Sequence, residues 1–327
     1  MRVFWSAYAC THQFGCLAVT SDSLFAVFGM PDQELAASPA GARQMSPLVP
    51  GAFALEDIGR ASLAGMVMAA PPSTVERRYT LALSLRALKA GAPLTVMAPK
   101  DKGGGRIANE LKDFGCAVEV TSRHHQRICR TTCPSVFNAK VEARIEAALA
   151  DGRMRWLDDL NLWSQPGIFS WDRIDPGTVL LLSAFPVFAG RGADLGCGIG
   201  VLARALLVSA NVTNVDLIDI DRRAIEAAQR NIVDPRATFH WADVRTIASL
   251  QDLDFVVMNP PFHDGGREDK ALGQAFIRQS HRALRAGGKA WLVANRHLPY
   301  ESVLGSAFSD VALRAERDGF KVYEATK

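Results

Sequence analysis

Two rhythms of apolar and polar positions alternate along this chain, and each change of rhythm marks an element. Short apolar runs of about four to eight residues bounded by Gly, Pro or Asn read as strands. Stretches with an apolar residue every three or four positions read as helices. From residue 1 to about 50 the periodicity is weak, and Pro31, Pro39, Pro47 and Pro50 mark loops. LAGMVMAAPP (63–72) then reads as a strand entering a turn, and TVERRYTLALSLRALKAGAPL (74–94) as a helix with an apolar stripe closed by Gly91. LTVMAPK (94–100) is a strand, GGGRIANELKDFG (103–115) a loop and helix, and AVEVTS (117–122) another strand. Residues 134–160 read as a charged helical join, and 165–185 as a turn followed by a helix.

The second half keeps a cleaner beat. RGADLGCGIGVLARALLVSA (191–210) is strand, glycine loop and helix; NVDLIDIDRRAIEAAQRNIV (214–233) is strand and helix. ATFHWADV (237–244) and DLDFVVMNPPF (252–262) are strands, GQAFIRQSHRALRAGGKAWLVA (273–294) is helix, glycine stop and strand, and FKVYEAT (320–326) closes the chain. Strand–helix alternation predicts an α/β protein with mostly parallel sheets. The two halves echo each other: LTVMAPKDKGGGRIANELKDFG has the layout of GADLGCGIGVLARALL, so we expect a duplication in which the second copy kept its chemistry.

With 327 residues, 48% hydrophobic and 22% charged, the chain has enough material for two globular domains. No apolar run reaches the roughly 18–20 residues that a membrane-spanning helix needs. Thr11-His12-Gln13 interrupts the patchy apolar start, so a secretion signal is not expected and the cytoplasm is the expected location. Six cysteines without paired spacing make no disulfide framework, and Cys129 and Cys133, four apart, are no zinc pair; no metal is expected. A net charge of +3 does not demand nucleic acid but permits local basic clusters.

The chemistry concentrates where strands end. Gly196, Gly198 and Gly200 follow a strand and open a helix, so their backbone can approach a ligand beside the helix N-terminus. Asp219 ends the next strand about twenty residues later, where an acid accepts hydrogen bonds from a ribose diol; nicotinamide and adenosylmethionine enzymes share this much. Asp221 reads as a helix cap. Asp243 stands at a third strand end, where it serves either as a helix cap or as an acceptor for an adenine amino group. The fourth strand stops at Asn259-Pro260-Pro261-Phe262. The Asn259 side-chain carbonyl and the Pro260 backbone carbonyl can accept from one planar amino group, and proline fixes the backbone between them. Phe262 offers a face on which a flat ring can stack.

On these residues the chain resembles the class I adenosylmethionine-dependent methyltransferases. More narrowly, through PGIFSWDRIDPGTVLLL, ADLGCGIGVLA, NPPFHDGG and the ending RALRAGGKAWLVANRHLPY…FKVYEAT, it is similar to the bacterial ribosomal RNA guanine-N2 methyltransferases of the small-subunit type. The resemblance covers about half of the chain closely. It implies two tandem Rossmann-like methyltransferase domains with seven-stranded, mostly parallel sheets: a degenerate, RNA-supporting one over 1–150 and a catalytic one over 151–327. In the first, MAPKDKGGG stands where a cofactor loop would be. S-adenosyl-L-methionine is the implied cofactor, held by Asp194, Gly196, Cys197, Gly198, Gly200, Asp219, Asp243 and Asn259, with Phe169, Ser170, Asp175, Gly177 and Thr178 forming a flap. Asn259, Pro260 and Phe262 would hold a guanine extruded from ribosomal RNA or the small ribosomal subunit.

The RNA grip is expected from the first half. SRHHQRICR supplies Arg123, Arg127 and Arg130, and PKDKGGGR supplies Lys100, Lys102 and Arg106, unless these are simply solvated charges. The alternatives are an N-methylase of protein glutamine or of adenine in nucleic acid, against which Phe262 and NRHLPY argue, and a cofactor-binding RNA scaffold without catalysis. A dehydrogenase has no use for an acceptor pair at Asn259.

Overall fold

The computed structural model describes residues 24–327 apart from 262, 265, 266 and 269; of 263, 264, 267, 268 and 270 it describes the backbone alone. Two sheets organise the chain. The first half contains β1 (Phe25–Phe28), β2 (Arg43–Gln44), β3 (Gly65–Ala69), α1 (Thr74–Ala87), β4 (Pro93–Pro99), α2 (Gly105–Asp113), β5 (Glu119–Arg123), β6 (Gln126–Thr132) and α3 (Ala139–Gly152). A small hairpin, β7 (Arg155–Leu157) with β8 (Leu162–Ser164), follows. The second half contains α4 (Pro176–Ser183), β9 (Gly190–Leu195), α5 (Val201–Leu206), β10 (Val212–Asp219), α6 (Arg222–Asn231), β11 (Ala237–Trp241) and β12 (Leu253–Met258). After it come the two-residue strands β13 (His263–Asp264) and β14 (Arg267–Glu268), α7 (Lys270–Ala283), β15 (Leu284–Asn295), α8 (Tyr300–Ala307), β16 (Asp310–Arg317) and β17 (Phe320–Thr326).

The second sheet has seven strands in the order β11-β10-β9-β12-β15-β17-β16, parallel except for β17, which runs against both its neighbours. The run FVVM in β12 shows why its strands look uniformly apolar. Phe255 and Val257 pack with α4, α5 and α6, whereas Val256 and Met258 pack with α7 and α8. A strand covered on both faces has no solvent side on which to place polar residues.

The first sheet has six strands among the described residues, ordered β2-β1-β3-β4-β6-β5. Laid over the second, this order repeats β10-β9-β12-β15-β17-β16, including the antiparallel pair at the far edge. The duplication is therefore visible strand by strand, but its register differs from the sequence expectation. MAPKDKGGG (97–105) spans the end of β4, the counterpart of β15, and the turn after it, so it does not stand where a cofactor loop would be. That place belongs to Gly29, after β1, in the first fifty residues where no element was expected. Ala70-Pro71-Pro72 at the end of β3 is the counterpart of Asn259-Pro260-Pro261 at the end of β12. Between residues 134 and 160 the expected helix stops at Gly152, and a strand begins at Arg155. SRHHQRICR forms the turn and adjoining strands of the β5–β6 hairpin: the turn places His124 at φ 49° and His125 at φ 61°, the doubly positive geometry that suits the twist of paired strands.

At the first half's proline pair, the Arg77 guanidinium fills the space. It is fully buried, donates to the Pro71 and Pro72 carbonyls at 3.2 and 2.8 Å, and meets both carboxylate oxygens of Glu110 at 2.7 Å. Other ionic groups join the halves. Arg223, at the start of α6, donates to Asp221 and, across the interface, to Glu76 of α1 at 2.7 Å; all three are buried. Arg222 reaches Glu56 at 2.9 Å. Burial pushes the Glu76 carboxyl above its ordinary range, against the pull of Arg223.

Candidate active site

The C-terminal ends of β9, β10, β11 and β12 lie side by side because these strands are parallel neighbours. In the loop after β9, Gly198 has φ +52°, and no atom of the described residues lies within 4 Å of where a Cβ would stand, so the backbone borders open space among them. Gly200 has φ +88°, and a Cβ there would lie 2.9 Å from Ile232, so the loop also rests directly on the end of α6. Asp219 holds the loop in place: its carboxylate accepts from the Gly198 amide at 2.8 Å and the Asp221 amide at 2.9 Å. Burial pushes its pKa up to about 6. Asp221 caps α6 and is clamped by Arg223. Asp243 accepts from the Arg245 backbone amide at 2.8 Å and from its guanidinium, which holds the carboxyl below its ordinary range.

Asp194 lies beneath the loop rather than on a ligand-facing wall. It is fully buried, and one oxygen accepts from the Ala203 amide at 3.1 Å, bracing α5, while the other has no partner among the described residues. Burial raises its pKa to about 8. Gly177 also faces inward, against the Phe320 ring. Phe169, Ser170, Asp175, Thr178, Gly196, Cys197 and Gly198 do come together, with Asn259, around a small recess. The Cys197 thiol is buried and its pKa is driven well up by desolvation, so it serves as an apolar lining group.

The Asn259 side chain is fixed by two hydrogen bonds. Its amide nitrogen donates to Asp175 Oδ1 at 2.9 Å and to Thr178 Oγ1 at 3.0 Å. Asp175 in turn caps α4 by accepting from the Thr178 amide at 3.0 Å. With both amide hydrogens committed, the side chain offers a ligand its carbonyl oxygen. Asp175 and Thr178, expected in a cofactor flap, thus also set which way the Asn259 amide points. Phe262, expected as the stacking face, lies outside the described residues.

Gly196, Gly198, Asp219, Asp243, Asn259 and Pro260 line a cleft of about 540 Å³, within the ~300–1,000 Å³ of small-molecule sites. Ile220, Leu272 and Phe276 line it too, apolar residues that no sequence motif marks, as do Met30, Leu48 and Val49, which arrive from the first half. The carboxylates at the ends of β10 and β11, the open face of Gly198 and the acceptor at Asn259 fit a nucleoside-bearing cofactor beside an amino-group substrate.

The basic residues lie on the first half. Lys100 is exposed at the end of β4, next to the β5–β6 turn, and its amide donates to His125. Arg123 is exposed at that turn and Arg127 is half-buried beside it. Arg106 is exposed and reaches Thr74. Arg130 is held by Thr121 and the Leu35 carbonyl. Lys102 is half-buried and has partners of its own. No helix among the described residues is long and apolar enough to cross a membrane.

The family model described as "Methyltransferase small domain" matches residues 159–324. A ribosomal RNA small subunit methyltransferase C from Hahella chejuensis is 33% identical over 245 residues, covering 74% of this chain and 71% of that protein. One from Pseudomonas entomophila is 31% identical over 262 residues, covering 78% and 77%. Among solved structures, a T. thermophilus 16S rRNA guanine-N2 methyltransferase in complex with AdoMet and guanosine superposes with a TM-score of 0.75 at 23% identity, over 97% of this chain and 90% of that one; this likeness spans both halves and shows the shared fold. By the extent of these matches, the chain belongs to the ribosomal RNA small subunit methyltransferase C family.

Proposed function

We propose that this chain transfers a methyl group from S-adenosyl-L-methionine to the exocyclic N2 of a guanine in 16S ribosomal RNA. The observation that carries this reading is the locked amide of Asn259. With its hydrogens held by Asp175 and Thr178, its oxygen is left to accept, and together with the Pro260 carbonyl it would form a pair of acceptors for one amino group.

The cofactor supplies a methyl carbon already activated on a sulfonium, so the protein's task is positioning. Asp219 and Asp243 would hold the adenosine, and the loop from Gly196 to Gly200 the remainder. Asn259 and Pro260 would accept the two hydrogens of the guanine amino group, drawing its lone pair out of conjugation and aiming it at the methyl carbon. Pro261, Leu272 and Phe276 make the neighbouring wall apolar and limit water. The amine becomes strongly acidic once alkylated, so it releases its proton without a dedicated strong base.

Residues 1–150 would act as the supporting half and 151–327 as the catalytic half, in a cytoplasmic enzyme acting on ribosomal RNA or its small subunit. Lys100, Arg123 and Arg127 gather at one end of the first sheet and would contact RNA phosphates, with Lys102 and Arg106 in the segment that follows Lys100; Arg130 pairs with Glu119 at the far end of the hairpin and would contribute only to a footprint that extends along it. Replacing the first three by Ala should lower the slope of log affinity against log salt by roughly 0.7–0.9 for each phosphate that is no longer neutralised; an unchanged slope removes this patch from the RNA footprint.

The test of the whole reading is incubation with labelled cofactor and small subunits from cells lacking the gene, followed by nucleoside analysis. Label in N2-methylguanosine is expected. Label in N6-methyladenosine, or none with wild type and Asn259→Ala alike, would overturn it.

A further inference from the structure

We infer that the first half supplies one wall of the second half's cofactor pocket: Met30, Leu48 and Val49 close over the adenosine end. This rests on the cofactor reading above. It goes further in giving the degenerate half a direct role in cofactor binding.

Three observations converge. First, Gly29, Met30, Ser46, Leu48 and Val49 line the same cleft as Asp219, Ile220 and Asp243, the groups at the ends of β10 and β11. Second, the segment is anchored at that end. The Pro47 carbonyl accepts from the Arg222 amide at 2.9 Å and from the Trp241 indole at 3.1 Å, and the same indole donates to the Ile220 carbonyl at 2.9 Å. Leu48 therefore leaves a clamp formed by residues immediately after Asp219 and before Asp243. Third, the two contributing loops are locked to each other. Gln44 donates to the Gly29 carbonyl at 2.8 Å and accepts from the amides of Gly29 and Ser46 at 3.1 and 2.9 Å.

The exposure pattern agrees with a ligand-facing wall. Met30 is 82% exposed, Leu48 48% and Ile220 37%, all on the rim of one cleft. Scattered apolar surface needs no explanation, but apolar side chains gathered on one concave rim beside polar anchors mark a ligand site. The topology gives the reason these loops are available. They follow β1 and β2, the counterparts of β9 and β10, so they occupy the edge where the second half places its own cofactor loops. The first half's former ligand edge thus faces the ligand of its twin.

The test uses the full chain and S-adenosylhomocysteine as probe, titrated calorimetrically without RNA. The double variant Met30→Ala/Leu48→Ala changes exposed side chains and should melt where wild type does. Its dissociation constant for S-adenosylhomocysteine should rise about 5- to 20-fold, and that for adenosine by the same factor, because the contact is with the shared nucleoside. Hydrogen exchange on the wild-type chain gives a second measurement: the amides of Ser46, Leu48 and Val49 should gain protection when S-adenosylhomocysteine is added. Wild-type binding with equal affinity in the variant, or an effect confined to the Michaelis constant for RNA, would overturn the inference while leaving the cofactor reading intact. Failure of the wild-type chain itself to bind S-adenosylhomocysteine would overturn both.

Discussion

Replacing Asn259 by Asp tests the acceptor-pair chemistry most sharply, because it changes one NH2 into oxygen and leaves the shape almost unaltered. The new carboxyl would put an oxygen where the amide nitrogen now sits, 2.9 Å from Asp175 Oδ1. Two carboxylates at that separation repel by up to about 6 kcal/mol at an effective dielectric of 20, or roughly 4 pKa units. Reorientation of the Thr178 hydroxyl to donate would offset part of this. The pair should therefore keep one shared proton until roughly pH 6–8, well above the ordinary carboxylate range. The sign is fixed by geometry. While the proton is shared, the new side chain donates to Asp175 and still turns a carbonyl oxygen to the substrate, as the amide does. Once it is lost, the pair repels and the site distorts. Methyl transfer by Asn259→Asp, measured from pH 5.5 to 9 with saturating cofactor, should thus lie nearest to wild type at the acid end and fall by a further tenfold or more as pH rises. A profile parallel to wild type at a constant ratio, or one that improves with pH, would refute the assignment of Asp175 as the amide's acceptor.

Thr178→Val removes one neutral hydrogen bond from the Asn259 amide at constant shape; at about 1 kcal/mol, kcat should fall roughly fivefold while S-adenosylhomocysteine affinity stays level, as steady-state kinetics and calorimetry would report. Asp194 has a folded pKa raised to about 8 by burial, so in the ligand-free chain its contribution to stability is complete below pH 4 and is lost as pH rises to 8. Asp194→Asn should flatten that part of the melting-temperature profile. Arg77→Met strands the Glu110 carboxylate and two proline carbonyls in the first half's core and should cost about 3–5 kcal/mol in denaturant titrations, with the Glu110→Leu partner change restoring much of it.

The second half was legible because its chemistry is written where strands end. Glycines, Asp219, Asp243 and Asn259-Pro260 each mark a strand terminus, and the parallel order brings those termini together. The first half lost those marks. β1 is only four residues long and is followed by Gly29-Met30 in place of an acid–glycine loop, so nothing local announced it. Long-range partners were equally hidden. Asp175 and Asn259 are 84 positions apart, and Glu76 and Arg223 are 147 apart. No pattern within a window of sequence pairs such residues, and their roles follow only from the fold. The wall formed by Leu48 and Val49 falls in the same class, because it depends on how two complete sheets meet.

The outer strands of the two sheets bear on how such a chain reaches its native state. β5 exposes all five of its residues, among them Glu119 and Arg123. β16 carries Arg314, Glu316 and Arg317 and a break in register between Leu313 and Ala315. A chain holding two copies of one strand order risks joining them rim to rim during synthesis, one copy zipping onto the other. Charged, irregular rims make that union unfavourable. They let each copy close on itself, so that the two meet through helices and loops instead of merging into one continuous sheet.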